Sequence, residues 1–98
     1  MTIYLISRHE GALAWMRTQG LAGAVPVRHL DPAWLAPGDI VAGNLPLHLA
    51  AEASVRGARF LHLALDLPEV LRGHPLGGRD LAALGARLEE YRVLRLDP

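Results

Sequence analysis

Thr2-Ile3-Tyr4-Leu5-Ile6 runs directly into Ser7-Arg8-His9-Glu10-Gly11, and an Ala- and Leu-rich stretch follows. The first five residues carry the β-branched and aromatic side chains of a short strand, and residues 10–19 have helical character. A strand that passes into a helix through a hydroxyl, a guanidinium and an imidazole has the makings of an anion site. The first N–H groups of a helix lack intrahelical partners, and the helix dipole places partial positive charge beside them.

The same alternation continues outward. Residues 24–29 read as a second strand, 30–38 as a proline-punctuated connection and 39–43 as a third strand. A helix is expected over 45–56, a strand over 59–65, a loop over 66–78 and a helix over 79–91, followed by a short apolar tail. Gly20 and Gly57 stand where two helices should stop. Asn44 is a suitable helix cap, with Pro46 in the first turn beyond it. Leu81, Leu84, Leu88 and Tyr91 keep helical spacing. Ile40-Val41-Ala42 and Phe60-Leu61-His62-Leu63-Ala64-Leu65 are nearly unbroken apolar runs, as in parallel strands covered on both faces.

Strands alternating with helices predict one α/β domain over residues 1–98, small and Rossmann-like, with a doubly wound, mostly parallel sheet. Right-handed crossovers favour about four core strands in the order 2-1-3-4, flanked by three helices. That order puts the topological switch between the first and third strands, where open α/β sheets bind ligands at their carboxyl ends. Three segments are expected to converge there: Ser7-Arg8-His9, Gly43-Asn44 and Asp66.

Composition narrows the chemistry. Ten basic residues balance ten acidic ones, which argues against long DNA or RNA as a partner but not against a small anion held by a few groups. Every basic residue is arginine, so a fixed cation must be a guanidinium, an imidazolium or a helix end. No apolar run is long enough for a membrane span, and the N-terminus lacks the basic start of a signal peptide. Cysteine is absent, which removes disulfides and thiolate chemistry and fits a cytoplasmic protein. G-x-G-x-x-G, P-loop and G-x-S-x-G patterns are also missing.

Each candidate residue has a plain reading beside its chemical one. Ser7 either caps the first helix or donates its hydroxyl to a phosphate oxygen. Arg8 is solvated, or it makes a bidentate phosphate contact. His9 is merely exposed, or it moves a proton, since imidazole titrates nearest neutrality. Gly43 serves turn geometry or a close backbone approach to a ligand. His48 lies on a stripe with Glu52 and Arg56 that reads as a solvated charged face, one turn from Asn44. Asp66 caps a turn or orients a ligand hydroxyl. His62 is expected as a hydrogen-bonded core residue, while His29 and His74 lack supporting neighbours. With no ligand-spaced pair among the five histidines, neither a metal nor another cofactor is expected.

Taken together, several of these stretches resemble one family. Tyr4-Leu5-Ile6-Ser7-Arg8-His9-Glu10-Gly11-Ala12 is similar to a Ser-Arg-His-x-Gly-Ala turn found in small CRISPR-associated proteins. Gly43-Asn44-Leu45-Pro46-Leu47-His48-Leu49-Ala50-Ala51 and Arg59-Phe60-Leu61-His62-Leu63-Ala64-Leu65-Asp66-Leu67-Pro68 extend the likeness, as does His29-Leu30-Asp31-Pro32. The family is that of the short stand-alone ring nucleases of type III CRISPR systems, whose fold is similar to the CRISPR-associated Rossmann (CARF) domain.

The resemblance implies a homodimer that binds cyclic oligoadenylate, the cyclic tetra-adenylate in particular, and linearises it to switch off antiviral signalling. Cleavage would be metal-independent, by in-line attack of a ribose 2′-OH, leaving a 2′,3′-cyclic phosphate. The chemistry of the side chains, and not the resemblance, assigns the roles: Ser7 and Arg8 would stabilise the phosphate, and His9 would transfer a proton. Gly11, Gly43, Asn44, Leu45, His48 and Asp66 would bind the ligand. The alternatives are a sensor that holds the ring without cutting it, a protein partner of an effector nuclease, and a metal-dependent phosphodiesterase.

Overall fold

Val25-Pro26-Val27 forms the edge of the sheet, where a proline without an N–H does least harm. The computed structural model describes residues 1–21, 23–66 and 77–97. Its elements are β1 (Ile3–Ile6), α1 (Glu10–Arg17), β2 (Val25–Val27), a 3-10 turn (Pro32–Trp34), β3 (Ile40–Gly43), α2 (Leu47–Val55), β4 (Arg59–Ala64), α3 (Gly78–Ala83) and β5 (Arg87–Tyr91). The sheet order is β2-β1-β3-β4-β5. The first four strands are parallel and in the order expected, and β5 joins β4 antiparallel. The result is a small Rossmann-like α/β domain.

Alternation along the strands divides the core in two. Leu5, Ala42 and Leu63 face α1 and α3, packing with Ala12, Trp15, Met16 and Leu81. Ile6 and Val41 face the other way, against Ala53 of α2 and Leu30 and Leu35 of the β2–β3 connection. Leu5, Met16 and Val41 are fully enclosed, and truncation of such side chains typically costs about 2–5 kcal/mol. The small Ala50, Ala51 and Ala53 let α2 lie close on its side of the sheet.

The segment 79–91 is not one helix. After Ala83 the chain closes a Schellman turn: the Gly85 N–H donates to the Ala82 carbonyl and the Ala86 N–H to the Leu81 carbonyl. Gly85 takes φ of +73°, which a continuing helix cannot use. Leu88 then sits opposite Leu63 as a strand residue, so the sheet has five strands. The spacing of Leu81, Leu84, Leu88 and Tyr91 satisfied a helical period across a break that glycine imposes. The expected loop over 66–78 lies largely outside the described residues, as do His74 and Leu67-Pro68.

The other elements are shorter than expected by one to three residues in all, no boundary moving by more than two. Gly57 ends α2 in the same Schellman geometry as Gly85, whereas Gly20 stands three residues beyond the end of α1. Asn44 does not cap α2; the cap position is Pro46, with no side-chain bond. The His62 imidazole makes no hydrogen bond among the described residues. It is half-buried and packs edge-on between Phe60 and Tyr91.

Asp39, the one buried charged residue among those described, ties the amino ends of the strands together. It is 5% exposed. Its carboxylate accepts from the Thr2 N–H at 2.9 Å and the Ala36 N–H at 3.0 Å. The bonds from Ala36 and then Thr2 hold its pKa below the ordinary aspartate value. A lowered folded-state pKa gives stability that is complete above the ordinary aspartate range and lost as pH falls through the lowered value. Denaturant midpoints should therefore fall on acidification in the wild type. Asp39→Asn should start lower at neutral pH and show a shallower acid dependence.

Candidate functional site

Parallel pairing aligns the carboxyl ends of three strands. Ile6 is opposite Val27 on one side and Gly43 on the other, so the residues after β1, β2 and β3 leave the sheet side by side. There they line a hollow of about 380 Å³, formed by Ile6, Ser7, Arg8, His9, Arg28, His29, Leu30, Asn44, Leu45, Pro46 and Leu49. Two arginines and two histidines line it, and no acidic residue does among the described residues. A chain with no net charge thus concentrates cationic groups at one strand-end site.

The β1–α1 turn is built by its own residues. Ser7 Oγ accepts from the His9 N–H at 3.1 Å, closing a local turn, and His9 takes the cap position of α1 without a side-chain bond. Ser7 therefore does not cap the helix directly, and its hydroxyl donates to no acceptor among the described residues. The Glu10 and Gly11 N–H groups at the start of α1 have no backbone acceptor among the described residues. Arg8 and His9 are exposed, and Arg8 forms no ion pair within the described residues.

The β3–α2 turn depends on close packing. Gly43 has φ of +131°, and a Cβ there would overlap the Ile6 carbonyl. Its absent side chain is thus required by the fit of β3 against β1, and Gly43 does not itself line the hollow. Asn44 Nδ2 donates to the Leu63 carbonyl at 3.1 Å, tying the ends of β3 and β4 together. This bond occupies an amide donor and leaves Oδ1 as an acceptor, suited to a ribose hydroxyl more than to a phosphate.

Asp66, Gly11 and His48 stand apart from the hollow. Asp66 follows β4, one strand further out, where its carboxylate meets Arg87 at 3.5 Å and its N–H donates to the Leu84 carbonyl. Arg87 is held above its ordinary pKa by its bond to Glu89 and then by the charge of Asp66. Of the three segments expected to converge, the first two do and Asp66 does not. Gly11 lies in the first turn of α1 and His48 is exposed on α2, both outside the lining. The charged stripe on α2 includes a Glu52–Arg56 pair at 3.5 Å.

The third wall comes from Arg28, which the sequence reading did not single out, and His29, which it set aside for want of supporting neighbours. A signal for them existed. An Arg-His pair follows each of two neighbouring parallel strands, Arg8-His9 after β1 and Arg28-His29 after β2.

Fold and site together define a class: a small Rossmann-like α/β protein with a cationic hollow at its topological switch. Residues 4–94 match the sequence model of the CRISPR-associated protein family Cas_VVA1548, and the chain belongs to that family. No curated protein and no solved structure matches it.

Proposed function

We propose that this CRISPR-associated protein is a ring nuclease that binds cyclic oligoadenylate, the cyclic tetra-adenylate in particular, and cuts it without a metal. The observation that carries this reading is the hollow where Arg8, His9, Arg28 and His29 meet Ser7 and Asn44, with no carboxylate among the described residues that line it. Such a set attracts a phosphodiester, and its apolar wall of Leu30, Leu45 and Leu49 suits the flat face of a base.

The reaction needs little from the protein beyond geometry and charge. The ribose 2′-OH attacks the adjacent phosphorus in line. The bond from phosphorus to O2′ forms as the bond to O5′ breaks, and a 2′,3′-cyclic phosphate remains. Holding that alignment supplies up to roughly 7–11 kcal/mol. Arg8 and the Ser7 hydroxyl stabilise the charge that builds on the phosphoryl oxygens. His9 moves a proton, and Asn44 Oδ1 accepts from a ribose hydroxyl.

A homodimer belongs to this reading. One hollow of about 380 Å³ is near the lower end of ligand pockets, which run roughly 300–1,000 Å³, and suits one portion of a ring whose phosphates repeat by symmetry. Two copies related by a two-fold axis present the same patch twice. Leu47, 75% exposed, follows Pro46 at the rim and gives such a contact an apolar residue.

The test is to incubate purified protein with labelled cyclic tetra-adenylate in EDTA, resolve the products and measure the mass in solution. Linear product ending in a 2′,3′-cyclic phosphate, at a rate unaffected by EDTA and from a dimer, is expected. A bound but intact ring would make the protein a sensor, and activity lost in EDTA would make it a metal-dependent phosphodiesterase.

A further inference from the structure

We propose that His29 is a second catalytic residue that works as a pair with His9, one imidazole removing the proton of the 2′-OH and the other protonating the leaving O5′. The inference rests on the ring-nuclease reading and extends it to a wall of the hollow that neither the sequence motifs nor the family match assigns. In-line transfer has two proton demands, at the attacking oxygen and at the departing one. A single imidazole on one lip of the hollow meets only one of them at a time. The β1–β2 pairing supplies the other, because it sets Arg28-His29 beside Arg8-His9.

The surroundings suit the task. His9 comes from the β1–α1 turn and His29 from the segment after β2; both are exposed, and both line the same hollow. The charged groups facing them are Arg8 and Arg28. The β3–α2 turn contributes Asn44, Leu45 and Pro46, and α2 contributes Leu49, none of which titrates. Glu10 and Asp31 follow the two histidines in the chain but do not line the hollow, and Asp31 Oδ1 accepts from the Ala33 N–H. Among the described residues, then, no carboxylate in the lining competes for the proton. Two guanidiniums remain to hold the phosphoryl oxygens, with Arg28 positioned to share that duty with Arg8.

Protons balance across the step. The base takes the 2′-OH proton as the bond from phosphorus to O2′ forms, and the acid gives its own proton to O5′ as that bond breaks. The linear product leaves the pair with its protonation exchanged, and solvent restores it.

Single-turnover cleavage of cyclic tetra-adenylate should be measured across pH for the wild type, His9→Ala, His29→Ala and His29→Gln, with ring affinity measured separately. A second substrate should carry sulfur in place of the bridging 5′ oxygen, since a thiolate departs without protonation. The wild type is expected to show a bell-shaped profile. Each histidine variant should lose about 10²–10⁴ in rate with affinity little changed, and the two residues should remove opposite limbs of the bell. The sulfur substrate should restore the rate of the variant lacking the acid and not of the other. Full rate and both limbs in His29→Ala and His29→Gln would overturn the pair while leaving the ring-nuclease reading intact. So would loss of the same limb from both residues, or a rate loss explained by weakened binding. A wild type that yields no linear product would overturn both.

Discussion

Gly43→Ala is expected to destabilise the protein by roughly 2–6 kcal/mol, lowering the thermal midpoint by about 10 °C or more. Two costs combine. A side chain at φ of +131° is strained by about 1–3 kcal/mol, and the added methyl group meets the Ile6 carbonyl, backbone that cannot turn aside. Overpacking of that kind typically costs about 1–3 kcal/mol more. Gly38→Ala is the matching control, because Gly38 also has positive φ, +90°, but a Cβ there meets nothing within 4 Å. It should cost only the strain. Urea unfolding of the two variants separates the terms, and equal losses would show that β1 and β3 do not press together at Gly43. Cleavage should suffer as well, since Ile6 and Asn44 flank this contact and both line the hollow.

Arg8→Ala is expected to reduce cleavage of cyclic tetra-adenylate by about 10²–10³-fold, equivalent to ~2.7–4 kcal/mol of transition-state stabilisation. Thermal stability should not change, because Arg8 is exposed and makes no ion pair among the described residues. Arg8→Lys should recover only part of the rate, since an ammonium cannot reproduce the two parallel bonds of a guanidinium. Free guanidinium added to Arg8→Ala should recover more than ammonium does. Single-turnover rates with melting curves decide the matter, and an undiminished rate in Arg8→Ala would remove Arg8 from the site.

Both predictions draw on the same stretch of chain that announced the fold. The strand-to-turn-to-helix sequence of residues 2–11, the buried run Ile40-Val41-Ala42 and the glycine after α2 are local signals. Their physics is complete within a few residues: alternation, dipole ends and the freedom of glycine at positive φ. The order of the four parallel strands was also legible, because handedness leaves few ways to connect them. The placement of Ser7, Arg8, His9, Asn44 and Leu45 beside one another followed from that order.

What lay outside local reach is equally specific. Leu81, Leu84, Leu88 and Tyr91 fit a helix as well as they fit a short helix, a turn and a strand, and pairing with β4 selected the second. Asn44 was read as a cap from its position, but its amide is taken by the Leu63 carbonyl, 19 residues away. Asp66 was assigned to the site from its place at a strand end. The sheet puts that end one strand too far, beside Arg87 of β5.

Residue order alone therefore determined an alternating α/β domain with a cationic strand-end turn, because helix and strand periods and helix-end charge are written in neighbouring residues. Only the tertiary structure decided that Arg28 and His29 complete the hollow and that Asp66 stays outside it. The reason is register: whether Val27 stands level with Ile6 is settled by a ladder of hydrogen bonds between strands some twenty residues apart, which no local pattern records.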